Sequence, residues 1–116
     1  ALVAELTNAG GQAIAYQTDV TSQEEVKTLI QGAVDTYGRI DVLINNAGLM
    51  AIAPLSDTRT DEWDRMIDLN LTAALSMTKA ALPHLLAAAE SDPRRVADVV
   101  NISSTAGRSR PTCSTT

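Results

Sequence analysis

The chain has 116 residues, a formal net charge of −5, 45% apolar residues, no phenylalanine and one cysteine, Cys113. The acidic balance argues against a nucleic-acid or anionic-membrane surface, where a basic stripe is expected, and leaves a small molecule as the default partner. One cysteine excludes an internal disulfide and, with one histidine, His84, leaves too few ligands for a metal site; a reducing, cytoplasmic setting fits, and no apolar run reaches membrane-spanning length.

In chain order, residues 1 to about 8 read as the closing turns of a helix: Leu2, Val3 and Leu6 share one side and Gly10-Gly11 stops it. No basic-then-apolar leader precedes this pattern. Ala13 to Gln17 is expected as a short strand. Thr21 and Ser22 precede Glu24 and Glu25 with capping-box spacing, so a helix starts there. Val26, Leu29, Ile30, Ala33, Val34 and Tyr37 recur at threes and fours, giving one buried stripe that ends at Gly38. Asp41 to Asn45 is a second strand. After a loop through Pro54, Thr60 and Asp61 cap a helix that runs to about Ala89, roughly 40 Å long, with Pro83 bending it. Ser91-Asp92-Pro93 breaks that helix, and Val96 to Ser103 forms a third strand. From Arg108 the periodicity stops and the chain reads as loop. There are no internal repeats and no low-complexity linker. Alternating strands and helices predict an α/β fold with right-handed crossovers and a parallel sheet.

Four places carry polar chemistry. The apolar run Asp41-Val42-Leu43-Ile44 ends abruptly in Asn45, Asn46, Ala47 and Gly48. In an open parallel sheet the C-terminal strand ends form the ligand crevice, where small residues admit a flat ligand and amides pin loops or donate to a sugar. An ordinary turn would use the same residue types. Asp19 follows its strand directly; its carboxylate can accept from the exocyclic amine of an adenine, or serve as an Asx cap before the helix. Asn70 shares a helical stripe with Trp63, Met66, Ile67, Ala74, Met77 and Ala81 and is expected to be buried in a polar network, because an unpaired buried amide costs about 1–3 kcal/mol. Ser103 and Ser104 end the last strand, where a serine pair commonly just caps a turn. His84 is expected at the surface or a subunit contact. The alanine-rich stripe from Ala73 to Ala89 is expected as core or helix contact.

Thr18-Asp19-Val20, Asn45-Asn46-Ala47-Gly48, Asn70 within Asp68-Leu69-Asn70-Leu71, and Asn101-Ile102-Ser103-Ser104-Thr105-Ala106-Gly107 resemble, in order and spacing, the middle of the short-chain dehydrogenase/reductase family in its classical branch. The likeness covers nearly the whole chain. It implies a partial Rossmann-type doubly wound parallel sheet, three strands with flanking helices, and a parent oxidoreductase that moves a hydride between NAD or NADP and a carbonyl/alcohol substrate. By the same resemblance Asp19 and Val20 flank the adenine, and Asn45, Asn46, Ala47, Gly48, Ile102 and Ser103 line the cofactor. Ser104 hydrogen-bonds the substrate oxygen while a tyrosine transfers the proton, and Asn70 holds a water in a proton relay to a lysine. The long helix would pair with its mate in a homodimer or homotetramer.

The sequence departs from the family at Val96-Ala97-Asp98-Val99-Val100, where Gly-x-Ile-Val is frequent. The family's Thr-Gly-x-x-x-Gly-x-Gly turn is not found, nor is its Tyr-x-x-x-Lys pair: neither Tyr16 nor Tyr37 is followed by a lysine four residues on. Residues 1–116 are therefore expected to be an incomplete NAD(P)-binding domain, with the choice between NAD and NADP made upstream. In the doubly wound order, Ala13–Gln17 and Asp41–Asn45 would lie roughly 14 Å apart with two strands between them, which predicts an unstable or aggregating chain in isolation. Two other readings stand beside the enzyme. One is a truncated or degenerate non-catalytic relative that binds nucleotide or associates through its long helix. The other is a flavodoxin-like domain, which shares the alternating elements but does not explain Asn45–Gly48, Asn70 and Ser104 together.

Overall fold

The computed structural model describes residues 1–50 and 53–104. The loop expected from Arg108 onward, Cys113, and Thr105 to Gly107 of the last motif lie outside the described residues. Helix α1 spans Leu2–Asn8. It closes as a Schellman motif: Gly10 takes φ 90°, its N–H donates to Thr7 O at 3.0 Å, and Gly11 N donates to Leu6 O at 2.9 Å. Residues 12–19 follow without regular structure. The strand expected at Ala13–Gln17 is thus not formed. A strand exists only with a partner, and the two strands that the doubly wound order places between this segment and Asp41–Asn45, one of them its neighbour, are not among the described elements.

Helix α2 spans Gln23–Tyr37. Of the two capping candidates Ser22 is used, its hydroxyl accepting from Glu25 N at 3.3 Å. The Glu25 carboxylate reaches back past the cap to accept from Asp19 N at 2.6 Å, so the cap is fastened to the preceding turn. Gly38, at φ 82°, ends the helix and donates to Val34 O at 2.7 Å.

Strand β1, Val42–Asn45, pairs in parallel with β2, Asp98–Asn101, in the register Val42 to Asp98 through Asn45 to Asn101. Asp98 N donates to Asp41 O and Ile102 N to Asn45 O, each at 3.0 Å, which extends the ladder at both ends. Both strands are shorter than expected, and among the described residues the sheet has two strands rather than three.

The long helix is interrupted. Helix α3, Thr60–Ile67, leads into a π turn, Asp68–Thr72, and then into α4, Ala73–Ser91. Thr60 and Asp61 do not cap it. Arg59 holds the cap position and no side chain bonds there, because Asp61 lies inside the first turn and pairs with Arg59 at 3.0 Å. Asp61 and Glu62 there complement the helix dipole instead. The π turn inserts one residue, and each residue turns a helix by about 100°, so the apolar face of α3 is out of phase with that of α4. Trp63, Ile67 and Asn70 accordingly stand exposed, and the burial expected for Asn70 is not found.

The core lies where α2 crosses α4. Val26 and Ile30 pack against Met77, Ala81 and Leu85, with Leu43 of β1 half-buried beneath. The alanines of α4 let the neighbouring backbones approach. Among the described residues one face of the sheet is left open: Val42 and Ile44 remain 50% and 60% exposed. The radius of gyration is 17.9 Å, against about 13 Å for a compact domain of this length. We expect the 116-residue chain, prepared alone, to bind a hydrophobic dye and to melt without a cooperative transition in calorimetry. A sharp two-state melt would contradict that.

Candidate functional site

Parallel pairing in register puts the C-terminal ends of β1 and β2 side by side, so the two polar motifs emerge together. Asn45, half-buried, donates through Nδ2 to Asn101 Oδ1 at 2.8 Å and to Thr78 Oγ1 at 3.2 Å. The Thr78 hydroxyl in turn donates to Ala74 O at 2.7 Å. One amide therefore ties β1, β2 and α4 at a single point. Beyond it the chain turns through Asn46, Ala47 and Gly48 to Leu49, where Asn70 takes over. The Asn70 amide donates to Leu49 O at 2.7 Å and accepts from Leu49 N at 2.8 Å. This two-point clamp satisfies a loop backbone as a strand partner would.

Gly48 sits directly under that clamp: a Cβ there would lie 3.3 Å from Asn70 Oδ1, tighter than an ordinary contact. The walls enclose a cleft of about 470 Å³ that brings together Val20, Asn45, Asn46, Ala47, Asn70, Ile102 and Ser103. Asp19, Gly48 and Ser104 each adjoin a wall residue in sequence without lining the cleft themselves. Asn70 thus reaches the site from an exposed position, by way of the π turn, rather than from the buried stripe. Sequence reasoning missed Thr78 and the side chain of Asn101. Asn101 could have been found as an amide ending the strand expected to lie beside Asn45; Thr78 carries no such signal, being one of several polar residues on its helix, with Ser76, Lys79 and His84.

Asp19 forms the turn that enters α2. Its Oδ1 accepts from Thr21 N at 2.9 Å and from Thr21 Oγ1 at 2.6 Å, while Oδ2 accepts no bond among the described residues. The Thr21 hydroxyl, and next its backbone N–H, hold the Asp19 carboxyl below its ordinary 3.8, with the Arg65 charge acting in the same direction. The side chain therefore closes an Asx turn ahead of α2, whose cap is Ser22, and one carboxylate oxygen is left for a donor.

A larger cavity, about 980 Å³, lies between α2 and α4 against Tyr16 and includes His84. None of the motif residues lines it; the candidate site is instead the smaller cleft, where polar groups converge at two strand ends. No cluster of three or more His, Cys, Asp or Glu suited to a metal occurs among the described residues.

The family profile described as short chain dehydrogenase matches residues 1–115. An uncharacterized oxidoreductase of Listeria innocua is 40% identical over 86 residues, covering 74% of this chain and 35% of its own length. A 3-oxoacyl-[acyl-carrier-protein] reductase of Synechocystis is 39% identical over 107 residues, covering 92% and 41%. Among solved structures, an NADH-dependent reductase responsible for alginate metabolism, in its complex with NAD, superposes with a TM-score of 0.83 at 37% identity, covering 92% of this chain and 44% of that one. A metagenomic short-chain oxidoreductase in complex with NADP gives 0.80 at 32% identity, covering 94% and 47%. The chain thus spans less than half the length of these relatives.

The Asp19 turn has a pH signature. A carboxyl depressed on folding stabilises the folded state above its unfolded value, near 3.8, and that contribution is lost as pH falls through the folded value. Carbon NMR titration of the intact protein should place the Asp19 midpoint below 3.8, and Thr21→Val should raise it. An unchanged midpoint in Thr21→Val would remove the hydroxyl as its cause.

Proposed function

The chain belongs to the short-chain dehydrogenase family, and from that premise we propose that the intact protein is an oxidoreductase using NAD or NADP on a carbonyl/alcohol substrate. The observation that carries this reading is the cleft at the paired ends of β1 and β2, with Asn45 and Asn70 holding its rim.

The residues present fit a nicotinamide dinucleotide. Val20 and Ile102 offer apolar walls to flat rings. The free oxygen of Asp19 can accept from an adenine amine. The exposed amide of Asn46 lines the cleft and can donate to a ribose hydroxyl. Close approach along Ala47 and Gly48 is open because neither carries a bulky side chain. When bound, the cofactor supplies or accepts the hydride.

The chain's own part is orientation and polarisation. Ser104, three residues beyond the end of β2, would present its hydroxyl to the substrate oxygen and stabilise charge developing there. Asn70, by fixing Leu49, would keep the opposite rim in place and contribute to a proton relay from the π turn. The 3-oxoacyl reductase among the relatives supports a ketone as the oxidised substrate.

Self-association belongs to the same proposal. Leu71, Leu75, Leu82 and Leu86 form an exposed leucine-rich surface on the long helix, 65%, 69%, 46% and 57% accessible, the kind of surface that a second copy would cover in a homodimer or homotetramer. A cytoplasmic setting fits the single cysteine.

The intact protein should oxidise NADH or NADPH with a ketone panel. Ser104→Ala should lower kcat by about 10²–10³-fold while leaving cofactor affinity within a few-fold. Binding of neither cofactor, or full turnover by Ser104→Ala, would refute the reading.

A further inference from the structure

The Asn46–Gly48 turn is a strap with a pin at each end, and both pins stand on one long helix. At its far end Asn70 clamps Leu49. At its near end the pin is Thr78, whose hydroxyl accepts from Asn45 Nδ2 at 3.2 Å and donates its own proton to Ala74 O at 2.7 Å. That donation fixes the direction of the chain of bonds: among the described residues, the threonine offers a lone pair to Asn45 alone. Asn45 has two amide hydrogens, and the second goes to Asn101 Oδ1 at 2.8 Å. The contact with Thr78 is half-buried, where water replaces a lost partner poorly.

We infer that Thr78 is a positioning residue of the cofactor cleft: its hydroxyl holds the Asn45 side chain between α4 and β2, and through it sets the Asn46–Gly48 turn against Ser103. The inference rests on the oxidoreductase reading for the identity of the ligand, but not for the bonds themselves. Helix packing alone does not need this hydroxyl. Many helical threonines bond back to a carbonyl one turn earlier, as Thr36 does to Gly32 O at 2.8 Å and Thr28 to Glu24 O at 3.1 Å. Among the described residues, only at Thr78 does such a hydroxyl also receive a hydrogen bond from another element's side chain. Valine has nearly the same shape and no acceptor, so Thr78→Val removes the pin and keeps the volume, while Thr78→Ser keeps the pin.

The test uses the intact protein in two measurements. Without cofactor, hydrogen exchange followed by mass spectrometry should show residues 46–49 and 102–104 exchanging about tenfold faster in Thr78→Val, as expected for loss of one hydrogen bond. Thr78→Ser should restore the rate, and Thr36→Val, which removes a comparable back-bond in α2, should leave it unchanged. With cofactor, fluorescence titration of NADH and NADPH should give a Kd about tenfold weaker for Thr78→Val and within about twofold for Thr78→Ser. If Thr78→Val does not fold, Thr78→Ala takes its place in the comparison with serine. Unchanged exchange in Thr78→Val would overturn the inference, as would a serine variant as impaired as the valine one. If the unsubstituted protein binds neither cofactor, the oxidoreductase reading fails, and the exchange comparison still decides whether Thr78 pins the turn.

Discussion

Everything at the site depends on two short strands meeting in parallel and in register. Because Asn45 stands opposite Asn101, the chain leaves both strands at the same level, and the amide at 45 can bond across to the one at 101. A slip of one residue would turn every side chain to the other face of the sheet and separate the two motifs. The register is held by ladder bonds that run from Asp98 to Asp41 and from Ile102 to Asn45, and by the crossover helix that Leu43 packs beneath. Strand ends so fixed make a rim on which loops can be placed to within a hydrogen bond's tolerance.

The helix that crosses over does two jobs that conflict in a regular helix. It must bury Ala73, Met77, Ala81, Leu85 and Ala88 against α2 and the sheet, and it must also send Asn70 to the loop after β1. The π turn at Asp68–Thr72 resolves this by changing the helical phase between the two halves. Its local weakening of the ladder is offset by the Asn70 clamp, which lies within the turn. π turns often mark functional positions for such reasons. The other side of the structure is unfinished: one sheet face and the leucines of the long helix lie open, and the shape is extended. Apolar area of that kind is covered in a stable protein.

Much of this was legible in the sequence where the cause is local. Ser22 and Gly38 bound α2 because a capping hydroxyl and a left-handed glycine act within one turn of themselves. Asn45 to Gly48 pointed to a crevice because they follow an apolar run at the C-terminal end of a strand in a parallel sheet, although an ordinary turn uses the same residue types. Ala13–Gln17 was misread because a strand's existence depends on a partner, not on its own residues. The burial of Asn70 was misread for a related reason: periodicity assumes constant phase, and no residue type signals a π turn. Thr78 was invisible since a lone threonine on a helix matches any solvated position, and its meaning comes only from where β1 lies.

The most direct test of the account is a crystal structure of the intact protein with its nicotinamide cofactor bound. Adenine should lie beside Asp19 and Val20, the dinucleotide should run along Asn46 to Gly48, and the nicotinamide end should face Ser103 and Ser104, with the Asn45–Thr78 and Asn70–Leu49 bonds intact. A cofactor seated elsewhere, for instance in the groove between α2 and α4, or strands β1 and β2 no longer adjacent, would contradict it.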